Sequence, residues 1–149
     1  MKLKYLAVLA LFATLFFVAC GGGGGEEESA QPESVTIQVT QSDNYFGATP
    51  DNATNPPKWN VNAGGQVSIE LTNNGTTEHN WAVIKLDADM PEAFDTATNS
   101  DLILKETGLV AAGESFRESF FAPSEAGEYL VICTVAGHYP SMQGRLVVN

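Results

Sequence analysis

Four side chains in this sequence have the types and spacing of a metal site. Residues 133–142 read CTVAGHYPSM, so Cys133, His138 and Met142 follow one another in a C-x4-H-x3-M run. The chain has one other histidine, His79, which precedes an apolar segment. A thiolate and two imidazoles with a weak axial thioether suit copper in both oxidation states, because Cu(I) favours sulfur and Cu(II) accepts nitrogen. The set predicts one copper ion that exchanges single electrons.

Each residue also has an ordinary explanation when it is considered alone. Cys133 follows an apolar run and would fit a buried strand as a small hydrophobe. His138 fits an exposed loop, His79 fits an exposed or hydrogen-bonded histidine without a metal, and Met142 fits a core. Met90 is an alternative axial ligand, but about eleven residues at about 3.3 Å each separate it from His79 along an extended strand. We therefore favour Met142, and the combination of all four residues favours copper.

The N-terminal residues predict export from the cytoplasm. Lys2 and Lys4 precede an apolar stretch over 5–18, which is typical of a signal peptide spanning residues 1–19. Cys20 follows at the expected cleavage point, so we expect it to be lipidated. The alternative is an uncleaved anchor, although the apolar run is shorter than the roughly 20 residues that span a bilayer.

Residues 20–33 predict a tether rather than a folded unit. They contain five consecutive glycines, then three glutamates, a composition that predicts no capacity to bury a core. A lipid on Cys20 would hold the rest of the protein at the outer face of the cytoplasmic membrane, on the periplasmic side.

Residues 34–149 have the length of one domain. With Cys20 lipidated and Cys133 on the metal, no disulfide is expected. The chain has 18 acidic and 7 basic residues and a net charge of −11, which becomes −13 once Lys2 and Lys4 are removed. This charge argues against nucleic-acid binding and favours a partner with a basic surface, unless it serves only solubility.

The domain predicts an all-β fold. Apolar and polar residues alternate around Ile37 and Ile69, and turn sequences such as Asn73-Asn74-Gly75 separate the short apolar runs. Seven or eight strands of this kind indicate a Greek-key β-sandwich. Pro91 and Glu92 favour a short helical insert near residues 91–100, with an irregular loop as the alternative. The strands are expected at 35–39, 59–61, 67–71, 83–86, 116–121, 129–132 and 145–148.

The ligand run, with His79-Asn80 far upstream, resembles the cupredoxin family of type 1 blue copper proteins. The loop length resembles the azurin and auracyanin branch, and the Cys-Thr-Val-x-Gly-His run is most similar to auracyanins. The resemblance covers about residues 34–149. It implies that His79, Cys133 and His138 are equatorial ligands and that Met142 is the axial ligand.

Other roles carry over residue by residue. Asn80 matches the asparagine that bonds across to the cysteine loop in such proteins, and its partner here is expected to be Thr134 or the Cys133 sulfur. Glu78 replaces the azurin glycine whose carbonyl approaches the metal, so a fifth ligand does not carry over. The expected apolar docking patch around His138 consists of Val135, Ala136, Tyr139 and Pro140.

The resemblance implies a monomeric electron carrier, with a membrane quinol-oxidising complex as donor and a c-type cytochrome or photosynthetic reaction centre as acceptor. Four protein ligands leave no open position for a substrate, which argues against an enzyme. Two alternatives remain: an extracytoplasmic copper carrier or buffer, and a structural lipoprotein with zinc or no metal. A carrier would release its metal readily, whereas a structural protein would be colourless.

Overall fold

The computed structural model describes residues 34–149. The predicted signal peptide, the lipidated Cys20 and the tether lie outside these residues. The described part contains nine strands: β1 Val35–Ser42, β2 Tyr45–Phe46, β3 Lys58–Val61, β4 Gln66–Asn73, β5 Ala82–Ile84, β6 Ile103–Glu106, β7 Ser115–Phe121, β8 Gly127–Ile132 and β9 Gln143–Val148.

The strands form two sheets, in the orders β2-β1-β4-β7 and β3-β9-β8-β5-β6. Two pairs are parallel, β1 with β4 and β3 with β9, and the other paired strands are antiparallel. The predicted all-β sandwich is confirmed. The sequence patterns missed β2 and β6, because β2 has only two residues and β6 is an edge strand with an exposed Leu104.

The core lies between the sheets and follows from alternation along the strands. Ile37 and Val39 of β1 face Ile69 and Leu71 of β4 across the ladder, and all four are buried. β5 differs because it is buried on both faces: Val83 joins the main core, whereas its neighbours join a second apolar cluster with Phe94. This double burial explains why the segment is apolar without alternation.

The segment between β5 and β6 packs on the outer face of β5 through Phe94 and Leu102. The helical insert consists of α1 Thr96–Asn99, which lies within the predicted region, and a 3₁₀ turn over Ser100–Leu102, which extends just beyond it. The helix begins after Asp95, whose carboxylate accepts a 2.9 Å bond from the backbone N–H of Ala97. The predicted start at Pro91 is therefore too early. Over residues 34–149, no helix has the length and apolar character needed to cross a membrane.

One end of the sandwich brings distant parts of the chain together. β1, β4 and β8 end there, and β9 and β7 begin there. The segments that follow or precede these strands carry the predicted ligands, so the two sheets fix where the ligand side chains meet.

Candidate metal centre

Three of the predicted ligands converge at this end. The Nδ1 atoms of His79 and His138 lie 3.1 Å apart. The sulfur of Cys133 lies 3.4 Å from Nδ1 of His138 and 3.9 Å from Nδ1 of His79. Within the described part of the chain, these three residues form a group of potential metal ligands. Their donor atoms all lie within 4.8 Å of one another.

The spacing of the donor atoms fits a transition-metal ion. A triangle with these three sides has a circumscribed radius of about 2 Å, close to the bond lengths of about 2.0–2.3 Å between such metals and nitrogen or sulfur. Two imidazoles and one thiolate in a plane are the equatorial donors of a type 1 copper site. The residues present therefore fit one copper ion.

Met142 completes the donor set from the same loop. Its side chain is completely buried and belongs to the main core. Met90, the alternative axial ligand, packs against the second apolar cluster on the outer face of β5. The placement of these two methionines favours Met142.

The ligand loop is closed by its own backbone. The N–H of Met142 donates to the carbonyl of His138 at 2.8 Å, and the N–H of Cys133 donates to the carbonyl of Met142 at 3.2 Å. The N–H of His138 donates to Val135 at 3.1 Å, around Gly137 with φ of +83°. Glycine adopts that conformation without strain, so the sequence favours this tight turn.

His79 comes from a different part of the fold and is completely buried. Its backbone forms an isolated bridge with Val110, with bonds of 3.1 and 2.7 Å. The ring atom that faces away from the donors, Nε2, lies 3.4 Å from the Thr77 hydroxyl and 3.8 Å from a carboxylate oxygen of Asp43. A group that accepts a proton at Nε2 leaves Nδ1 free for a metal.

Asn73 and Gly75 build the wall behind His79. The Asn73 amide is completely buried and donates at 2.8 Å to the carbonyls of Thr77 and Val110, and its oxygen accepts from the N–H of Gly75 at 2.8 Å. A Cβ at Gly75 would lie 2.6 Å from the Asp43 carboxylate and 3.0 Å from Nε2 of His79. Only glycine fits this close approach.

Burial keeps both imidazoles neutral near neutral pH. Loss of hydration lowers the pKa of His79, and the nearby His138 lowers it further, against an opposing effect of Asp43. Burial also lowers the pKa of His138, again against Asp43. A neutral imidazole offers its lone pair to a metal, so the site is prepared for binding.

The pKa of the Cys133 thiol shifts in the opposite direction to those of the two histidines. Burial raises its pKa, whereas backbone hydrogen bonds from Asn80 and Val135 lower it, and the charges of Glu106 and Glu78 raise it. Metals bind the thiolate. The two backbone N–H groups stabilise that form, and a bound cation would displace the remaining proton.

The predicted contact between Asn80 and Thr134 is present. The Asn80 carbonyl oxygen accepts from the backbone N–H of Thr134 at 2.8 Å, and its amide donates to the Thr134 hydroxyl at 2.7 Å. Glu106 also joins the pair through one carboxylate oxygen. Sequence reasoning missed Asp43, Asn73 and Glu106, because each lies in a segment without a ligand.

The predicted docking residues occupy different positions. Ala136 and Pro140 are exposed and Val135 is partly exposed, whereas Tyr139 packs against the second apolar cluster. Leu109, which the sequence did not indicate, is 55% exposed and shares a cleft with Val135 and Ala136.

Comparisons with known proteins agree with this geometry. Residues 50–149 match the family of copper binding proteins, plastocyanin/azurin family. The chain is 40% identical to auracyanin-A of Chloroflexus aurantiacus over 103 residues, covering 60% of this chain and 62% of the relative. It is 36% identical to auracyanin-B of the same organism over 90 residues, covering 52% and 38%. The chain thus spans less than two thirds of the length of either curated relative.

A solved structure extends the comparison to the fold. The structure of auracyanin A, described as a "blue" copper protein from the green thermophilic photosynthetic bacterium Chloroflexus aurantiacus, superimposes with a TM-score of 0.58 at 32% identity. The match covers 78% of this chain and all of that structure. The chain belongs to the plastocyanin/azurin family of copper-binding proteins, and His79, Cys133, His138 and Met142 form its type 1 site for one copper ion.

Proposed function

We propose that this chain is a membrane-tethered electron carrier that gains and loses one electron at its copper site. The observation that supports this most strongly is the unequal exposure of the ligands. His79, Cys133 and Met142 are completely buried, whereas His138 is partly exposed. Electrons would therefore enter and leave through His138, while the rest of the site stays dry.

The ligand loop and the wall behind His79 serve this role in distinct ways. Bound copper supplies the one-electron chemistry, as Cu(I) or Cu(II). The backbone bonds within the loop hold Cys133, His138 and Met142 in place, and the wall behind His79 fixes the fourth ligand. Because the metal ligands are held in fixed positions, the site would rearrange little between the two oxidation states of copper.

The same arrangement argues against an enzyme and against a copper carrier. Four protein donors leave no position for a substrate, and catalytic metal sites keep one open. A carrier must release its ion readily, yet three of the four ligands here are inaccessible to solvent.

The surface around His138 suits brief docking. Leu109, Val135, Ala136 and Pro140 supply apolar area, and Glu78 and Glu106 line the adjoining cleft. Small apolar patches are typical of transient redox contacts, and acidic neighbours favour a partner with a basic rim. We propose that the donor is a membrane quinol-oxidising complex and that the acceptor is a c-type cytochrome or a photosynthetic reaction centre.

The proposed location follows from the N-terminal sequence alone. A signal peptide over residues 1–19, a lipid on Cys20 and a tether to residue 33 would hold the copper domain, residues 34–149, at the outer face of the cytoplasmic membrane. The flexible tether would let the domain, acting as a monomer, reach its partners along the surface.

A visible absorption spectrum of the chain loaded with Cu(II) tests the proposal, with Cys133→Ala as the control. We expect an intense thiolate-to-copper band in the native protein and none in the variant. The reduced protein should then pass its electron to a c-type cytochrome. A colourless native protein would refute electron transfer through this site and favour the structural role, and rapid loss of copper to a chelator would favour the carrier.

A further inference from the structure

Glu106 lies at the end of the edge strand β6 and reaches the residues next to two ligands. One of its carboxylate oxygens, Oε1, accepts a 2.7 Å bond from the Asn80 amide and another 2.7 Å bond from the Thr134 hydroxyl. Asn80 directly follows His79, and Thr134 directly follows Cys133. The carboxylate therefore connects β6 to the Asn80–Thr134 pair, which itself joins the two ligand segments.

Counting donors shows that this network requires an acceptor at Glu106. The Asn80 amide group has two N–H donors, which go to Thr134 and to Glu106, and its oxygen accepts from the Thr134 backbone. The Thr134 hydroxyl accepts from Asn80 and so directs its hydrogen to Glu106. One carboxylate oxygen of Glu106 thus accepts two hydrogen bonds.

The charge on Glu106 has no cationic partner within 4.0 Å in residues 34–149. Its neighbour Lys105 forms an ion pair with Glu118 at 2.7 Å. Lys105 also donates a hydrogen bond to Glu106, but to the backbone carbonyl and not to the carboxylate. The other ion pairs of the described residues join Lys58, Arg117 and Arg145 to acids elsewhere. The negative charge is thus held near the ligands without a neutralising side chain.

We propose that Glu106 is a positioning residue that fixes the Asn80–Thr134 pair and, through its charge, favours the oxidised state of the copper site. A fixed negative charge stabilises the more positive of two redox states. Glu106 itself is exposed, but the two side chains that hold its Oε1, those of Asn80 and Thr134, are buried. This proposal rests on the proposed function, since it concerns the balance between Cu(I) and Cu(II).

The charge is tested with Glu106→Gln in the full-length chain. Glutamine keeps the shape and an acceptor oxygen but removes the charge. We expect the ratio of oxidised to reduced protein at fixed potential to fall by up to about tenfold, which corresponds to a rise in midpoint potential of about 59 mV for one electron. Glu125→Gln is the matched control, because Glu125 precedes β8 at the opposite end of the sandwich. Equal shifts in the two variants would overturn the charge effect.

The positioning role is tested with Glu106→Ala and a measurement that needs no copper. The side-chain amide protons of Asn80, followed by NMR in the metal-free protein, should stay separated and protected from exchange in Glu106→Gln and lose that protection in Glu106→Ala. Unchanged amide signals in Glu106→Ala would overturn the positioning role. The two proposals fail separately: a colourless native protein contradicts electron transfer, whereas a blue native protein with unaltered Glu106 variants contradicts only this inference.

Discussion

His79 and His138 contribute the same atom to the same site from very different surroundings. Their Nδ1 atoms lie 3.1 Å apart, so both rings face one metal position. His79 is completely buried, and its Nε2 faces Thr77 and Asp43. His138 is partly exposed and sits on a loop whose bonds are mostly internal.

The difference teaches how the site divides its work. His79 is held by the turn after β1, by the end of β4 and by the segment that contains Val110, so its position depends on the whole sandwich. His138 depends mainly on the ten-residue loop and reaches the surface. We interpret His79 as the anchor of the site and His138 as its contact with redox partners.

Replacing each histidine by glycine gives the largest expected effects and tests this division. Both variants should lose the blue band, because each loses an equatorial ligand. Added imidazole should restore the band in His138→Gly, whose cavity opens to solvent, but not in His79→Gly, whose cavity is sealed. His79→Gly should also lower the free energy of unfolding by about 2–5 kcal/mol, the range for large-to-small changes in a core.

Absorption spectra recorded during an imidazole titration measure the first effect, and denaturant unfolding of the metal-free proteins measures the second. His138→Gly serves as the control for stability, because a partly exposed loop residue should cost much less. Equal rescue of the two variants would contradict the interpretation of His79 as the buried anchor.

A smaller change behind His79 should disturb the anchor without removing a ligand. In Gly75→Ala, the new methyl group would lie 2.6 Å from the Asp43 carboxylate and 3.1 Å from the Asn73 side-chain oxygen. Such overpacking typically destabilises a protein by about 1–3 kcal/mol. Chemical denaturation of the metal-free protein measures this, and the copper spectrum should shift as His79 moves.

Gly108→Ala is the matched control. A Cβ there would meet only Phe116, at an ordinary distance of 3.8 Å, so we expect a change within about 0.5 kcal/mol. If the two variants are equally stable, the wall behind His79 is more adaptable than its contacts suggest.

The sequence predicted His138 and its loop better than it predicted the surroundings of His79. Cys133, His138 and Met142 lie within ten residues, so their spacing alone brings them near one metal. The alternation around Ile37 and Ile69 likewise sufficed for the sandwich, because period-two burial is a local pattern.

The groups that hold the anchor were not predictable in the same way. Asp43, Asn73 and Glu106 are ordinary polar residues in the sequence, and they meet the ligands only because sheet pairing brings distant segments to one end. The insert was placed correctly but began later than predicted, because Asp95 rather than Pro91 starts the helix. Local propensity does not choose between two competing helix starts.

The smallest expected effect is a pH dependence of the free energy of unfolding. Both histidines contribute to it in the metal-free protein. Burial lowers the pKa of each ring in the folded state, whereas the unfolded chain titrates near the usual value of about 6.5. As the pH falls through that value, the unfolded chain binds protons that the folded protein does not, so the free energy of unfolding decreases. Stability should therefore be greater at about pH 7.5 than at about pH 5.5, with each unit of pKa difference contributing about 1.4 kcal/mol.

Denaturant unfolding at both pH values measures this slope, and His138→Gln separates the two rings. The variant retains only His79, which is the more deeply buried ring but loses the repulsion from His138. We expect a reduced slope that remains positive, because burial alone still lowers the pKa of His79. A slope that vanishes in His138→Gln would mean that the exposed ring carries the whole effect, which would contradict the view that His79 has the more strongly desolvated environment.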